Sequence, residues 1–365
     1  MPNVQSTLRG GVARLARERG AARERGSGGL RALSDDLIIR LFVRAPLATH
    51  GTLHAVCPRL NALLRSPRFR EQRLELGLAE YGMIVASGFR NYRACYECWV
   101  RPQHGGQWRP LPPMSEARRV ASTITIDGEL WVVGGVMKAA DLATIEIYSP
   151  KTNSWRPSPP MSQRRSNHMT GVVGGLLVVA AGYYAARRLT CVEAYTGTEW
   201  IPLPPVPRDC YMAASAVLNE RFYVIAGLDT SEVNVLEMTE GDGWSWSRVA
   251  DLPVNRYGAA SVVHDGKIWV IGGYVHPPQG SNGPTASVLI YNDEADTWEN
   301  GPPLPERCGH VHAATTDGGI FLYSQHKSFV YGAGARPAHG QEWEEIGQGG
   351  TENLMNPAIG GVLIG

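Results

Sequence analysis

The chain has 365 residues, 43% hydrophobic and 19% charged, which suits a packed protein rather than a disordered one. Its 42 glycines and 25 prolines follow no three-residue period, so a collagen-like fibre is excluded, and the prolines exclude a long coiled coil. The net charge is +1, and the charged residues are unevenly distributed along the chain. Residues 1–80 carry 14 arginines and seven acidic residues, whereas the remainder carries 21 basic and 27 acidic residues. Two differently built parts are predicted, with a boundary near residue 80.

The uneven charge does not by itself indicate a polyanionic partner, because +7 over eighty residues is a weak signal. We predict no nucleic-acid partner. The longest apolar stretch, residues 171–186, is interrupted by four glycines and lies inside a repeat, so no membrane span is predicted. The six cysteines are scattered and follow no secretory leader, which favours a reducing compartment over a disulfide framework.

Residues 1–30 are rich in Arg, Ala and Gly and are predicted to form a disordered basic tail. An organelle transit peptide is the alternative, because Leu8, Val12 and Leu15 would share one helical face. Glu18 and Glu24 count against it. The expected location is therefore the cytoplasm, the nucleus or both.

Residues 31–80 are predicted to form short helices. Ser34 is a helix cap, and Pro46 ends the helix that follows it. The apolar residues of this first helix are Leu37, Ile38, Leu41 and Phe42. Those of the second helix are Leu53, Val56, Leu60, Leu63 and Leu64. So few apolar residues do not make a large independent core.

Beyond residue 80 the chain repeats. Tryptophan recurs every 45 to 52 residues, at Trp108, Trp155, Trp200, Trp246, Trp298 and Trp343. After each of the first five, a pair of mostly small residues follows at a distance of 26 or 27 residues. These pairs are Gly134-Gly135, Ala181-Gly182, Ala226-Gly227, Gly272-Gly273 and Tyr323-Ser324. A fixed phase over five units establishes an internal repeat.

Each repeat is predicted to be a four-stranded antiparallel sheet. In one unit, residues 120–126 form an inner strand, Asp127-Gly128 a hairpin turn and residues 129–135 an apolar second strand. A third strand follows around residues 144–150, and Trp155 begins the fourth. A sheet of this size is not stable alone and has to stack on its neighbours.

The paired glycines, the phased tryptophans and the tyrosines Tyr148, Tyr195 and Tyr291 resemble kelch repeats. The resemblance implies an all-β domain, a kelch β-propeller over residues 81–365. The last repeat departs from the pattern, with Tyr323-Ser324 in place of the glycine pair.

The number of blades follows from the two ends of the repeat region. Residues 83–88 match the second strand of a blade and have no inner strand before them. Residues 357–365 provide only an inner strand. We therefore expect a six-bladed propeller closed by a C-terminal strand and preceded by a small all-α segment.

The segment LSDDLIIRLF…APL…LHAVCPRLNALLRSPRFR, within residues 31–80, resembles an F-box. Ser34 stands where that family usually has proline, and Leu60 where it usually has tryptophan. The resemblance implies contacts with an SKP-type adaptor by Leu33, Leu37, Leu41, Pro46, Val56 and Cys57. The alternative is a helical cap packed on the propeller.

Arginines recur at one corner of the repeat. Sixteen residues before the first member of each pair stand Arg118, Arg165, Cys210, Arg256 and Arg307, and Arg208 lies close to this position. Forked guanidinium donors suit carboxylates and phosphates. Kelch ligand receptors are known to use arginines near this corner, so the resemblance implies target binding. The alternative is that each arginine binds backbone carbonyls of the neighbouring blade and holds the ring together.

The connections between second and third strands share that face. Their aromatic and basic residues, including Tyr183, Arg187 and His276, are predicted to extend a protein-binding surface. The alternative for any one of them is an ordinary solvated rim.

Metal and catalytic sites are not predicted. Cys95 and Cys98 form a single pair, and side chains three apart on a strand point to opposite faces. His168 and His310 occupy a recurrent inner-strand position where packing is the expected role. The sequence contains no phosphate-binding glycine loop and no nucleophile elbow. No cofactor is predicted.

The leading hypothesis is a substrate-receptor subunit of an SCF-type (cullin-RING) ubiquitin ligase, itself without catalytic activity. It would bind the SKP-type adaptor, and through it cullin, by the F-box and an unknown protein target by the propeller face. Two alternatives stay open. One is a kelch scaffold without a ligase role, and the other is a propeller enzyme or small-molecule sensor.

Overall fold

A computed structural model of the chain describes residues 33–45, 56–64, 66, 68–69, 72–73, 76, 80–90, 93–102, 107–239, 243–276, 283–316, 319–325, 327–332, 342–347 and 357–364. The chain divides into two compact units, residues 1–42 and 43–365. The tail predicted over residues 1–30, and Pro46, lie outside the described residues.

The first unit contains helix α1 (Asp35–Phe42). Its start is capped as predicted, because the Ser34 hydroxyl accepts the Leu37 amide proton at 3.4 Å. The buried residues are Ile38, Ile39 and Phe42, whereas Leu37 and Leu41 are only half-buried. The buried face is thus turned slightly from the predicted one and includes Ile39.

The second unit opens with helix α2 (Pro58–Leu64). Proline suits the first helical position because its missing N–H has no partner there in any case. The Cys57 sulfur accepts the Leu60 amide proton at 3.4 Å, as a cap does. Arg73 is buried nearby and donates to the carbonyls of Val43 and Ala45 at 2.8 and 2.6 Å.

The rest of this unit consists of four-stranded antiparallel sheets, which we number in chain order. Sheet 1 contains β1 (Glu80–Ala86), the hairpin β2 (Phe89–Arg90) and β3 (Arg93–Ala94), β4 (Cys98–Pro102) and β5 (Arg109–Leu111). Sheet 2 contains β6 (Ser122–Ile126), β7 (Glu129–Val133), the hairpin β8 (Val136–Met137) and β9 (Ala140–Asp141), β10 (Ile145–Ser149) and β11 (Ser154–Ser158). Sheet 3 contains β12 (Met169–Val173), β13 (Leu176–Ala180), the hairpin β14 (Tyr183–Tyr184) and β15 (Arg187–Arg188), β16 (Val192–Tyr195) and β17 (Trp200–Leu203).

The remaining sheets follow the same order. Sheet 4 contains β18 (Ala214–Leu218), β19 (Arg221–Ile225), β20 (Val233–Thr239) and β21 (Gly243–Val249). Sheet 5 contains β23 (Ala260–His264), β24 (Lys267–Ile271), β27 (Val288–Asn292) and β28 (Thr297–Asn300), with a small sheet of β22 (Asn255–Tyr257), β25 (Tyr274–His276) and β26 (Gly283–Pro284) beside it. Sheet 6 contains β29 (His312–Thr316), β30 (Gly319–Tyr323), β31 (Ser328–Tyr331) and β32 (Trp343–Ile346).

The strands and turns of sheet 2 agree with the sequence-based prediction. Asp127 and Gly128 join β6 to β7 with φ values of 51° and 75°, the left-handed pair that a tight hairpin turn requires. A second strand of continuous apolar residues recurs in each sheet, and it is buried because both faces of the sheet are covered.

The last strand of the chain belongs to the first sheet. β33 (Ala358–Ile364) pairs antiparallel with β1 over seven residue pairs, from Glu80 opposite Ile364 to Ala86 opposite Ala358. It supplies the inner strand that residues 83–88 lack. The inner strands β6, β12, β18, β23, β29 and β33 contact one another in cyclic order.

Neighbouring sheets share apolar cores. Ile84 and Ala86 of sheet 1 pack with Leu130 of sheet 2, and Met83 packs with Phe321 of sheet 6. Burying such side chains contributes about 1.5–3 kcal/mol each. The inner strand β33 packs so closely against β7 of sheet 2 that a Cβ on Gly360 would clash with Leu130 Cδ1. The core is therefore distributed between sheets rather than gathered in one centre.

The phased tryptophans join successive sheets by hydrogen bonds. Each indole N–H donates to a backbone carbonyl in the segment that leaves the preceding sheet, at 2.8 to 3.3 Å. The pairs are Trp155–Pro112, Trp200–Pro159, Trp246–Pro204, Trp298–Ala250, Trp343–Pro302 and Trp108–Gly347. The last pair joins sheet 1 to sheet 6.

No helix in the described part of the chain has both the length and the apolar character needed to span a bilayer.

Replacing Trp155 by Phe tests the indole bond. The aromatic ring stays while the 2.8 Å bond to Pro112 is lost, so the free energy of unfolding is expected to fall by about 1 kcal/mol beyond any packing change. Trp131→Phe is the matched control, because the Trp131 indole nitrogen is buried with no hydrogen-bond partner among the described residues. Urea unfolding of both variants measures the difference. Equal losses would show that the bond to Pro112 adds nothing to packing.

Candidate functional site

The three aligned arginines Arg118, Arg165 and Arg256 are enclosed, with 0 to 3% of their surface exposed. Arg118 donates from Nη1 to the carbonyls of Gly134 and Thr144, both at 3.0 Å. These two carbonyls lie where the second strand of sheet 2 ends and its third begins. The Thr144 carbonyl also accepts the Gly134 amide proton at 3.0 Å, so the guanidinium adds a second donor to it and supplies a donor to the Gly134 carbonyl.

Arg165 and Arg256 repeat this arrangement in sheets 3 and 5. Arg165 donates to Ala181 and Cys191 at 2.9 and 3.0 Å. Arg256 donates to Gly272 and Ser287 at 3.0 and 2.9 Å. This contradicts the prediction that the three arginines bind a target, because their forks are already occupied inside the fold. The alternative of carbonyl binding is the better description, although the carbonyls belong to the arginine's own sheet.

Two of these arginines have a buried carboxylate partner. Arg118 pairs with Glu146 at 2.9 Å and Arg165 with Glu193 at 2.8 Å. Arg256 has none, since Leu289 holds the corresponding place on β27. Burial lowers the pKa of the Arg256 guanidinium to about 10, and it also lowers that of Arg118 against the raising effect of Glu146. Both remain cations at neutral pH.

In sheets 4 and 6 a cysteine stands at the position that Arg118, Arg165 and Arg256 occupy in sheets 2, 3 and 5. Cys210 was expected there, but in sheet 6 the structure places Cys308 rather than Arg307. The Cys308 carbonyl accepts from Gly273 at 2.8 Å, just as that of Arg165 accepts from Gly135 at 3.0 Å. The sequence alignment of this repeat was therefore wrong by one residue, and Arg307 is exposed.

Arg208 is also exposed, with its guanidinium 3.2 Å from Glu232 and 3.3 Å from the carbonyl of Asp229. A surface pair of this kind contributes about 0–1 kcal/mol and leaves the side chain free to exchange partners. Arg208 and Arg307 thus stay accessible to a target, unlike the three enclosed arginines.

A cavity of about 220 Å³ lies where the inner strands begin. Five residues with positive φ line its mouth, one before each of five inner strands: Val120, Asn167, Met212, Gly258 and His310. Backbone bonds join successive members, with Asn167 donating to Val120 at 3.1 Å and Gly258 donating to Met212 at 2.9 Å. Because Cys308 and not Arg307 matches Arg165, His310 matches Asn167 and belongs to this set.

His168 directly follows Asn167 in the chain and is packed between sheets 2 and 3. A Cβ on Gly134 would lie 2.8 Å from its Cε1 atom, so the glycine makes room for the imidazole. Neither ring nitrogen has a hydrogen-bond partner among the described residues. Burial, together with the Arg165 charge, holds the pKa of His168 well below its usual value. The imidazole is neutral and structural.

Tyrosine rings lie on or beside the hairpins between second and third strands. Tyr183 packs on Tyr211 with ring centres 5.4 Å apart, and Arg188 lies over the Tyr211 ring at 5.3 Å. Tyr274 packs on His310 at 4.9 Å. Aromatic rings with arginine are frequent in protein-binding surfaces.

The predicted loop residues Tyr183, Arg187 and His276 all lie on the hairpins between second and third strands. Arg187 and His276 are exposed, and Tyr183 is half-buried against its neighbour. Their target-binding role stays a prediction.

The residues predicted to bind an adaptor differ in exposure. Val56 is 55% exposed, while Leu33, Leu37 and Leu41 are half-buried. Cys57 is half-buried and caps α2. Their adaptor-binding role also stays a prediction.

Across the described residues, no group of three or more His, Cys, Asp or Glu side chains could hold a metal ion. The six cysteines are all free thiols. Burial raises the pKa of both the Cys98 and Cys210 thiols to about 12, so neither is a reactive thiolate.

Comparison with known proteins supports the fold. A family model for the kelch motif matches residues 117–162 and 255–305, so the chain contains kelch motifs. The solved structure of YjhT covers 72% of the chain, and 97% of YjhT is covered in return, with a TM-score of 0.58 and 13% sequence identity. The chain therefore has a mostly β, kelch propeller-like fold.

Curated relatives are more distant in sequence. Mouse kelch-like protein 23 is 26% identical over 66% of the chain and 34% of its own length. Zebrafish (Danio rerio) kelch-like protein 26 is 27% identical over 57% of the chain and 35% of its own length. A putative F-box/kelch-repeat protein of Arabidopsis thaliana is 25% identical over 33% of the chain and 52% of its own length. The chain spans about a third of the length of the two kelch-like relatives. No F-box domain is detected in it.

Replacing Arg118 by Met is expected to lower the free energy of unfolding by about 3–5 kcal/mol, because Glu146 is left buried without its cation. Arg256→Met is expected to cost only about 1–3 kcal/mol, since the Gly272 carbonyl loses its donor while the Ser287 carbonyl keeps the Gly272 amide, and no carboxylate loses a partner. Urea unfolding measures both. Adding Glu146→Gln to the Arg118 variant should recover part of the loss. Equal losses at both sites would contradict the proposed role of the carboxylate.

The pH dependence of stability tests the His168 environment. Below about pH 6.5 the unfolded chain takes up a proton that the folded chain excludes, so stability falls as pH falls, by up to about 1.4 kcal/mol per pH unit. His168→Ala should flatten this slope, and alanine already stands at this place in sheets 2, 4 and 5. Val311→Ala, at the matching place in sheet 6, is the control. It should lower stability and keep the wild-type slope.

Proposed function

We propose that the chain is the substrate-receptor subunit of an SCF-type (cullin-RING) ubiquitin ligase. Residues 31–80 would bind an SKP-type adaptor, and through it cullin, while the face carrying the hairpins would bind a target protein. The observation that carries this proposal is the order of the chain, in which short helices with accessible apolar residues precede kelch motifs. The Arabidopsis relative carries both elements in its name.

We further propose that the sheets are the blades of a closed six-bladed propeller. Three observations support closure: β33 pairs with β1, the inner strands contact one another in cyclic order, and Trp108 donates to Gly347. In a closed ring the inner strands form the edges of their sheets, and these short edges are protected inside the ring. It would hold the target-binding hairpins in fixed relative positions.

The adaptor side rests on residues that the fold leaves accessible. Leu37 and Leu41 are half-buried on the helix that also buries Ile38 and Phe42, so each has part of its side chain available to a partner. Val56 is exposed beside α2. Apolar side chains accessible in this way favour a protein partner over solvent.

In this role the chain performs no bond chemistry. Its contribution is proximity, because a tethered target lysine meets the ubiquitin-loaded enzyme at high effective concentration. The target-binding residues kept from the sequence prediction are Arg208, Arg307, Tyr183, Arg187 and His276. The proposed location is the cytoplasm, the nucleus or both.

Pull-down of purified SKP-type adaptor by the full chain tests the proposal. The wild type should bind, and the Leu37→Asp, Leu41→Asp variant should lose binding because two charges enter the apolar contact. Val56→Asp should also weaken binding, and it disturbs the fold less because this side chain is already 55% exposed. Leu76→Asp is the matched control, since Leu76 is 46% exposed and is not among the predicted contacts.

Thermal unfolding of each variant shows whether the propeller remains folded. Failure of the wild type to bind adaptor would overturn the ligase role and leave a kelch scaffold with a helical segment before it. Normal binding by the Leu37, Leu41 variant would overturn the assigned contact residues.

A further inference from the structure

The structure points to a site for an acidic peptide segment on the hairpin face. We propose that a run of Asp and Glu side chains in a target binds the basic edge, which we define as Arg93, Arg119, Lys138, Arg164 and Arg187. The inference deepens the proposed function by naming the chemistry of the target. The proposed binding residues are these five cations and not the three enclosed arginines Arg118, Arg165 and Arg256.

The basic edge is built by three successive hairpins. Arg93 lies on β3, Lys138 follows β8, and Arg187 lies on β15, so each hairpin places a cation at or beside its tip. A backbone bridge fixes each hairpin to a corner between sheets: Cys95 to Arg118, Val136 to Arg119 and Tyr183 to Ser166. The three tips therefore keep a constant spacing.

Arg119 and Arg164 fill the positions between the tips. The Arg119 guanidinium lies over the Phe89 ring at 5.0 Å, and Arg164 donates one bond to the carbonyl of Asp141 at 3.2 Å. A guanidinium has five N–H donors, so both contacts orient the group and leave most of its donors available.

No carboxylate among the described residues lies within ion-pair distance of the five cations. Two other arginines near these hairpins differ: Arg188 pairs with Asp229 at 2.7 Å and Arg208 with Glu232 at 3.2 Å. Asp141, beside the basic edge, accepts from the Ser166 hydroxyl at 2.8 Å and the Ala185 amide at 3.3 Å, and it forms no ion pair with the five cations. The basic edge thus carries five cations against this one carboxylate, and the excess of positive charge fits an external carboxylate partner.

A short acidic peptide fits better than a nucleic acid. Residues 81–365 carry 21 basic and 27 acidic residues, so the protein around the basic edge is negative overall. A long polyanion would meet that field beyond the three hairpins, whereas a segment of a few carboxylates would stay within a Debye length of about 8–10 Å of the cations.

Fluorescence anisotropy of the full chain with fluorescein-labelled octaglutamate tests the site. Wild type should bind at low salt and weaken as salt rises. The triple variant R93S/K138S/R187S should bind about tenfold more weakly, the sum of three exposed ion pairs. The triple variant K151S/R156S/K267S removes the same charge from the opposite face and should keep wild-type affinity. Labelled octalysine and octathymidylate are the ligand controls.

Three results would overturn the inference. The first is the absence of octaglutamate binding by the wild type up to about 1 mM, a dissociation constant that corresponds to a binding free energy of about 4 kcal/mol. Equal weakening in both triple variants would reveal a non-specific response to net charge. Tighter binding of octathymidylate would indicate a nucleic-acid surface instead. None of these results bears on adaptor pull-down, so failure here is distinct from failure of the ligase role.

Discussion

The hydrogen bond from each phased tryptophan to the segment leaving the preceding sheet is the interaction on which the repeat depends. A four-stranded sheet of this size cannot bury enough surface alone, so it needs contacts with both neighbours. Apolar packing supplies the area but no direction. The indole supplies apolar area, because its large ring fills the gap between sheets. It also supplies a directional contact, because its N–H fixes how the sheets meet. From Trp155 to Trp108, six such bonds link every sheet to the one before it.

The buried charges follow a rule set by the backbone. In sheets 2 and 3, Glu146 and Glu193 accept amide protons from Ser115 and Ser162, as well as pairing with arginine. In the other repeats the residue matching those serines is proline, which has no N–H to offer, and the glutamate is replaced. The prolines are Pro207, Pro253 and Pro305, and the replacements are Asn234, Leu289 and Phe329. A buried carboxylate is thus present where two kinds of donor converge, and absent where one is missing.

The sequence predicted the repeat well because strand, turn and tryptophan signals recur with a fixed phase. Asp127-Gly128 and the strands of sheet 2 are where the pattern placed them. It did not predict that Arg118 is enclosed, because an arginine that binds carbonyls inside a corner and one that faces solvent have the same spacing. Equally, the one-residue shift at Cys308 was hidden, since Tyr323-Ser324 lacks the glycines that mark the phase elsewhere. The sequence placed Arg187 on the binding face but did not group the five cations of the basic edge, because they come from different connections of different lengths.

The pairing of β33 with β1 has a consequence for how the protein is made. Sheet 1 joins residues 80–86 to residues 358–364, so its inner strand is the last part of the repeat region to be synthesised. Until then β1 has an open edge, and the tryptophan contact from Trp108 to Gly347 has no partner on the ribosome-bound chain. At about 5–20 residues per second, roughly 15–60 seconds pass between the two strands. A nascent chain of this kind has its greatest need of a chaperone in that interval.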